Sequence, residues 1–181
     1  LISEFVSITK NINNIVDLGT GNGAIPLFLS KKTKAKITGI EIQKVSSELA
    51  ERNVKLNNLE KQITIINDDM KNWRKYFVTH TLDMVVSNPP FFKFNGNEEL
   101  LNDLTQLTLA RHEISITLDT LIETAAGLLK DKGYFVLVHR VDRLIEIIEL
   151  MKKHFIEPKR IQFCHSKTNK EGKILLVEGI K

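Results

Sequence analysis

The segment 87–92, Ser-Asn-Pro-Pro-Phe-Phe, combines a carboxamide, two prolines and two aromatic rings directly after an apolar run. Prolines lack a backbone N–H group, so the carbonyl groups beside Asn88 stay free to accept hydrogen bonds. A carboxamide oxygen and a neighbouring carbonyl can accept both hydrogens of a planar amine, which frees the nitrogen lone pair for attack. The ring of Phe91 can stack on a planar substrate. For this chemistry we predict four catalytic residues, Asn88, Pro89, Pro90 and Phe91.

A glycine-rich segment at 17–24, Asp-Leu-Gly-Thr-Gly-Asn-Gly-Ala, follows another apolar run. Glycines let the backbone turn tightly and approach a ligand closely. The segment satisfies the G-x-G-x-x-A pattern of dinucleotide sites, which leaves a nicotinamide oxidoreductase as an alternative. An acid two residues before the first glycine can face a cationic amino group, and the third glycine extends the pattern, which favours S-adenosylmethionine. The candidate cofactor-binding residues here are Asp17, Gly19, Gly21 and Asn22.

Acidic residues follow the next two apolar runs. Glu41 lies 22 residues after Gly19, where a carboxylate can accept hydrogen bonds from both hydroxyl groups of a ribose. Asp68 and Asp69 follow the run 63–66, where a side chain can accept a hydrogen bond from an adenine amine. We predict cofactor contacts for Glu41, Asp68 and Asp69, with Asp69 favoured over Asp68, and capping of a helix is the alternative for these two aspartates.

The elements that must position these residues alternate along the chain. Apolar runs predict strands at 15–18, 37–40, 63–66, 82–86, 134–138, 160–164 and 174–177. Helical spacing fills the intervals, with Thr117 as the N-cap of one helix and Val45, Leu49 and Leu56 as the apolar face of another. This order predicts a Rossmann-like α/β fold, a seven-stranded and mostly parallel sheet with helices on both faces. Ligands of such sheets bind at the carboxyl ends of strands, where the polar clusters lie.

The composition limits the class of protein. A chain of 181 residues with 42% hydrophobic residues suits a single domain. No apolar run approaches the length of a membrane helix, and one cysteine favours a reducing compartment, so we expect a cytoplasmic protein without a membrane partner. The five histidines and the cysteine show no metal-ligand spacing, so no metal is expected. A net charge of +4 weakly favours a polyanionic partner.

Six stretches of the sequence resemble one family. They are DLGTGNG (17–23), GIEIQ (39–43), SNPPFF (87–92), ARHE (110–113), LVHR (137–140) and HSKTNKEGKILLVEGIK (165–181). The first three are similar to class I S-adenosylmethionine-dependent methyltransferases with an Asn-Pro-Pro-aromatic motif. The ARHE and VHR stretches resemble, in particular, the bacterial tRNA1(Val) adenine N6-methyltransferase family.

The resemblance implies methyl transfer from S-adenosylmethionine to an exocyclic amino nitrogen, with adenine N6 in tRNA as the favoured substrate. Alternatives are guanine N2 in ribosomal RNA, a glutamine side chain in a protein, and a non-catalytic module that binds cofactor or RNA. Lys93 and Arg111 are candidate substrate contacts. Relatives carry further residues at both ends, so residues 1–181 are expected to be a single methyltransferase domain that lacks short N- and C-terminal extensions. The sequence does not define an oligomeric state.

Overall fold

A computed structural model describes residues 1–90 and 117–181. The helices and strands are α1 (Ile2–Phe5), β1 (Asn14–Leu18), α2 (Ala24–Ser30), β2 (Lys36–Glu41), α3 (Lys44–Leu56), β3 (Ile63–Asn67), β4 (Leu82–Ser87), α4 (Leu118–Leu128), β5 (Leu129–Arg140), α5 (Leu144–Lys153), β6 (Glu157–His165) and β7 (Gly172–Ile180). Short 3-10 helices occupy Met70–Lys75 and Val141–Arg143. None of the described helices has both the length and the apolar composition needed to cross a membrane.

The strands form one sheet of seven in the order β3-β2-β1-β4-β5-β7-β6. The first five are parallel neighbours, and β7 is antiparallel to both β5 and β6. Strands such as β4 are buried along their whole length because both faces of a parallel sheet are covered, and they therefore appear in the sequence as continuous apolar runs. The predicted seven-stranded, mostly parallel sheet is confirmed.

Two apolar cores lie on the two faces of the sheet. Helices α4 and α5 pack on one face together with Trp73 of the first 3-10 helix. Helices α1, α2 and α3 contribute to the core on the other face. Side chains of β1 alternate between the cores, with Val16 and Leu18 in the first and Ile15 in the second. Thr117 caps α4 as predicted, since its side chain accepts a hydrogen bond from the Thr120 amide.

The apolar face predicted for α3 is wrong. Its three residues face solvent, with exposed fractions of 70% for Val45, 46% for Leu49 and 70% for Leu56. The buried positions of the helix are instead Ser47, Ala50 and Val54. The reason is close packing: a Cβ atom added at Gly23 would lie 3.2 Å from the Ala50 Cβ atom. Side-chain size, rather than apolarity, therefore decides which side of α3 approaches the glycine-rich segment.

The segment before β1 contacts β6 and β7, the two strands at one end of the strand order. Glu178 of β7 accepts hydrogen bonds from the Ser7 amide at 2.8 Å and from the Ser7 hydroxyl at 2.7 Å. The guanidinium of Arg160 lies over the Phe5 ring, 4.1 Å from its centroid. These contacts hold α1 against the core on its face of the sheet, so residues near both ends of the chain meet.

Candidate active site

The carboxyl ends of β2, β1 and β4 lie side by side. Leu18, the last residue of β1, is in register with Ile40 of β2 and with Ser87 of β4. The Ser87 hydroxyl donates a hydrogen bond of 2.7 Å to the Leu18 carbonyl and ties these two strand ends together. Between β1 and β4 the chain order of the strands reverses, which is where open α/β sheets bind ligands.

The glycine loop (residues 19–23) turns sharply away from β1. Its three glycines have φ angles of 75°, 56° and 81° at Gly19, Gly21 and Gly23, a region that side chains rarely allow. The amides of Gly19 and Thr20 both donate hydrogen bonds to the Ile40 carbonyl, at 2.9 and 3.0 Å. A Cβ atom at Gly21 would meet no other atom within 4 Å, so the loop backbone is open at this point.

Asn22, predicted to bind the cofactor, is an exposed residue of the glycine loop. Its carbonyl oxygen accepts a hydrogen bond of 2.9 Å from the Asn53 side chain of α3. The Asn22 backbone is therefore fixed to the helix beneath the loop.

Asp17 is a fully buried acid below the glycine loop. One carboxylate oxygen, Oδ2, accepts a hydrogen bond of 2.6 Å from the Thr20 hydroxyl. Oδ1 has no hydrogen-bond partner in the described part of the chain. Burial, together with the negative charge of Glu41, raises the pKa of Asp17 to about 7, although the Thr20 hydrogen bond opposes this shift. The carboxylate is thus placed to receive a cationic group.

Thr20 was not predicted as a site residue, yet it positions Asp17. Its side chain lies over the backbone of β2, because a Cβ atom added at Gly39 would be 2.7 Å from the Thr20 Cγ2 atom. Gly39 therefore leaves the space in which the hydroxyl reaches Asp17. The sequence signal is the glycine within the strand at 37–40.

Glu41 holds the glycine loop by its backbone. Its carboxylate accepts hydrogen bonds of 2.8 Å from the Gly21 amide and of 2.8 Å from the Gln43 amide. A carboxylate offers about four acceptor positions, so two remain for the hydroxyl groups of a ribose. The predicted Glu41 contact thus belongs to a residue that also shapes the loop.

Asn67 braces the end of β2 from the neighbouring strand, a role that the sequence analysis did not predict. Its side-chain nitrogen donates hydrogen bonds to the Glu41 carbonyl at 2.8 Å and to the Ile42 carbonyl at 3.2 Å. The sequence feature that could have indicated this role is a polar residue at the end of a predicted strand. Asn67 therefore fixes the backbone from which the Glu41 side chain projects.

The two aspartates after β3 have different surroundings. The Asp68 carboxylate accepts hydrogen bonds from the Asp69 amide, the Asn72 side chain, the Lys75 ammonium and the Tyr76 hydroxyl, at 2.7, 2.7, 3.2 and 2.7 Å. The Tyr76 and Asn72 bonds are the main reason that its pKa is held well below the usual range. These four hydrogen bonds all come from the protein itself, and the predicted contact of Asp68 with the cofactor stays a prediction.

Of the two roles that the sequence left open for Asp69, the structure shows the capping role. Its Oδ1 atom accepts a hydrogen bond of 2.9 Å from the Lys71 amide and caps the 3-10 helix. Among the described residues no hydrogen bond involves its Oδ2 atom, so one oxygen remains for a ligand amine. The preference for Asp69 over Asp68 as the adenine contact stays a prediction.

Asn88 and Pro90 are exposed, and Pro89 is partly buried, directly after the end of β4. The hydrogen bond between Ser87 and Leu18 places this turn beside the start of the glycine loop. Three further predicted site residues, Phe91, Lys93 and Arg111, lie outside the described residues.

His139, near the end of β5, is buried beside the same edge of the sheet. Its Nδ1 atom accepts a hydrogen bond of 2.8 Å from the Arg140 amide. Burial, followed by the positive charge of Arg143, lowers the pKa of His139 to about 4, so the imidazole is neutral at pH 7.

The strand ends fit S-adenosylmethionine group by group. Asp17 offers an unpartnered buried oxygen to the cationic amine. Glu41 retains two acceptor positions for the ribose hydroxyl groups, and Asp69 retains one oxygen for the adenine amine. The open backbone at Gly21 leaves room for close approach.

A comparison with protein families gives a match over residues 1–165 to the methyltransferase small domain. The chain belongs to the methyltransferase small domain family. This family membership confirms the predicted S-adenosylmethionine-dependent methyltransferase class and disfavours the nicotinamide oxidoreductase alternative.

Among curated proteins, the methyltransferase small domain is similar to tRNA1(Val) (adenine(37)-N6)-methyltransferases. That of Porphyromonas gingivalis is 31% identical over 166 residues, which are 90% of this chain and 64% of the relative. That of Aliivibrio salmonicida is 24% identical over 179 residues, which are 98% of this chain and 73% of the relative. The chain thus spans less than two thirds of the length of the Porphyromonas relative.

Solved structures of methyltransferases share the fold of this methyltransferase small domain. A predicted O-methyltransferase from Agrobacterium tumefaciens superposes with a TM-score of 0.75 and 19% identity, covering 99% of this chain and 79% of that chain. A geranyl diphosphate C-methyltransferase from Streptomyces coelicolor, solved with S-adenosyl-L-homocysteine, gives a TM-score of 0.71 at 10% identity, covering 99% and 74%. At these identities the likeness concerns the fold.

Proposed function

We propose that this chain transfers a methyl group from S-adenosylmethionine to N6 of an adenine in tRNA, of the tRNA1(Val) type. The observation that carries the proposal is the position of Asn88 and Pro89, directly beside the glycine loop at the neighbouring strand ends of β1 and β4. A cofactor site and an acceptor for a planar amine thus share one edge of the sheet.

Asp17 and the glycine loop hold the cofactor in this proposal. Asp17 pairs in its anionic form with the cationic amino group, whose charge favours that form over the protonated one. Burial strengthens this attraction because water does not screen it. Glu41 accepts from the ribose and Asp69 from the adenine amine. When bound, S-adenosylmethionine supplies an electrophilic methyl group and a neutral thioether as the leaving group.

Asn88 and Pro89 prepare the attacking nitrogen. The Asn88 Oδ1 atom and the Pro89 carbonyl accept the two N–H hydrogens of the adenine amine, and this favours a tetrahedral nitrogen with an available lone pair. The new N–C bond forms as the C–S bond breaks, and the surplus proton on nitrogen then passes to water. Positioning and hydrogen bonding account for the rate, so no covalent nucleophile is required.

The choice of tRNA is supported by the names of the relatives. Curated proteins that match 90% and 98% of this chain are tRNA1(Val) (adenine(37)-N6)-methyltransferases. The net charge of +4 agrees with a polyanionic substrate.

A labelling experiment tests the proposal. The complete protein and residues 1–181 are each incubated with methyl-labelled S-adenosylmethionine and unmodified tRNA, ribosomal RNA or protein extract, and the digested product is analysed by mass spectrometry. We expect N6-methyladenosine from tRNA. Labelled N2-methylguanosine or methylglutamine would show that the substrate is ribosomal RNA or a protein instead of tRNA. Cofactor binding without any labelled product would indicate a binding module.

The variant Asn88→Ala tests the catalytic assignment. We expect kcat to fall at least about 100-fold, as for the loss of one transition-state hydrogen bond, with an unchanged Kd for S-adenosylmethionine. Asn11→Ala is the matched control, because Asn11 is exposed at the opposite edge of the sheet before β1. Full activity of Asn88→Ala would refute the role of Asn88.

A further inference from the structure

The turn between β6 and β7 is a basic, exposed feature at the edge of the sheet that holds the candidate site. We call residues 165–173 the basic hairpin. Lys167, Lys170 and Lys173 are exposed, and within the described part of the chain none of them forms an ion pair. Glu171 is the only acid of the segment, so the hairpin carries a local excess of positive charge.

Internal hydrogen bonds shape the basic hairpin. The Nδ1 atom of His165 lies 2.7 Å from the Lys170 carbonyl oxygen, and the Lys170 amide donates a hydrogen bond of 3.1 Å to the Lys167 carbonyl. A Cβ atom at Gly172 would approach the His165 ring to 3.3 Å, so glycine lets the ring lie against the strand. The lysines therefore project from a formed turn, which reduces the conformational entropy lost on binding.

The register of the strands places the basic hairpin near Asn88. β7 is the second strand from β4, which corresponds to about 10 Å across the sheet. Along the strands, Ser87 is level with Leu137, and Arg140, three residues further, is level with Ile174. Gly172 is two residues beyond that, so the hairpin rises roughly 16 Å above the end of β4. A nucleic acid whose base reaches Asn88 extends over this distance within a few nucleotides.

Three of the lysines at the opposite edge of the sheet are engaged by other groups of the protein. Lys32 pairs with Glu4 at 2.6 Å, Lys36 donates to the Lys61 carbonyl at 2.5 Å, and Lys130 pairs with Asp83. The basic run 31–36 ends at the first residue of β2, so it lies at the far edge from Asn88. The lysines of the basic hairpin, in contrast, have their charges available near the site.

We propose that the basic hairpin binds the phosphate backbone of the RNA substrate while its target base occupies the site at Asn88. This inference rests on the proposed function. Lys167, Lys170 and Lys173 each neutralise a phosphate and release counterions, so the contact contributes to affinity and to its salt dependence without reading the base sequence.

The test compares two triple variants of the complete protein. Lys167→Ala/Lys170→Ala/Lys173→Ala removes the hairpin charges. Lys10→Ala/Lys34→Ala/Lys61→Ala removes three exposed charges that precede β1, β2 and β3 at the opposite edge. The affinity for unmodified tRNA is measured by filter binding between about 50 and 200 mM salt, and the Kd for S-adenosylmethionine is measured by calorimetry.

For the hairpin variant, we expect the slope of log affinity against log salt to become shallower by about 2 to 3. Its affinity for tRNA should fall at least about tenfold at the lowest salt, while the Kd for S-adenosylmethionine stays unchanged. A charge-conserving variant, Lys167→Arg/Lys170→Arg/Lys173→Arg, should restore both the affinity and the slope. The opposite-edge variant should retain most of the wild-type affinity.

Two results would overturn the inference in different ways. If the wild-type protein methylates tRNA and the hairpin variant binds it with the affinity and slope of the opposite-edge variant, the hairpin role is wrong and the proposed function stands. If the wild-type protein neither binds nor methylates tRNA, the proposed function fails and the inference fails with it.

Discussion

At the scale of single residues, Asp17 links the site to the stability of the fold. The pKa of this carboxyl is about 7 in the folded protein, compared with a reference value of 3.8. Between these two pH values the folded state retains a proton that the unfolded state has lost. The stabilisation from this proton is complete below about pH 4 and is lost as the pH rises through about 7.

The variant Asp17→Asn removes this titration and leaves an oxygen to accept from Thr20. From pH 5 to pH 8, we expect the free energy of unfolding of the wild type to fall relative to the variant by on the order of 2 kcal/mol. Urea denaturation at unit pH intervals measures the difference. The exposed Asp131 provides the control Asp131→Asn, and parallel pH profiles for wild type and Asp17→Asn would contradict the assignment.

Residue types at the site could be predicted from the sequence, but several of their contacts could not. Asp17, Glu41 and Asp69 stand at strand ends in a pattern that pointed to a nucleoside with a cationic tail. Because the Thr20 hydroxyl and the Asn67 side chain act through other residues, no spacing rule revealed them. The four hydrogen bonds that the Asp68 carboxylate accepts also depend on the fold of the following 3-10 helix.

At the scale of elements, the strands were predictable because burial on both faces leaves an apolar run in the sequence. The orientation of α3 was not, because its helix approaches the glycine loop through Ala50 and leaves Val45 and Leu49 in solvent. Small residues permit this close approach, and a pattern of apolar residues does not detect it.

Gly127 permits a similarly close approach between α4 and the first 3-10 helix. A Cβ atom there would lie 2.6 Å from the Cζ2 atom of Trp73, which is buried. Alanine is favoured over glycine within a helix by roughly 1 kcal/mol. We nevertheless expect Gly127→Ala to destabilise the protein by about 1–3 kcal/mol, because overpacking of the core outweighs this preference.

A double-mutant cycle checks the Gly127 prediction. Trp73→Phe removes the part of the ring that the new methyl group would strike, so the double variant should lose less stability than the two single changes added together. Urea denaturation of the four proteins gives the coupling. Additive losses in the free energy of unfolding would show that Gly127→Ala does not act through a clash with Trp73.

At the scale of the whole molecule, Glu178 joins the first segment of the chain to β7. Glu178→Ala leaves the Ser7 amide and hydroxyl without their acceptor, and we expect a loss of about 1–3 kcal/mol in the free energy of unfolding. Hydrogen exchange should show faster exchange at the amides of α1 and Ser7. Ser7→Ala provides the partner variant, and exchange confined to β7 would contradict this role.

The same contact has a consequence for biosynthesis. Ser7 and Glu178 are 171 positions apart, and ribosomes add about 5–20 residues per second. About 10–30 s therefore separate the synthesis of the two partners. Ile2, Phe5 and Val6 are buried in the folded protein. During that interval their segment cannot form its hydrogen bonds with Glu178, because β7 has not yet been synthesised. The nascent chain therefore presents this apolar segment to chaperones until β7 has been synthesised.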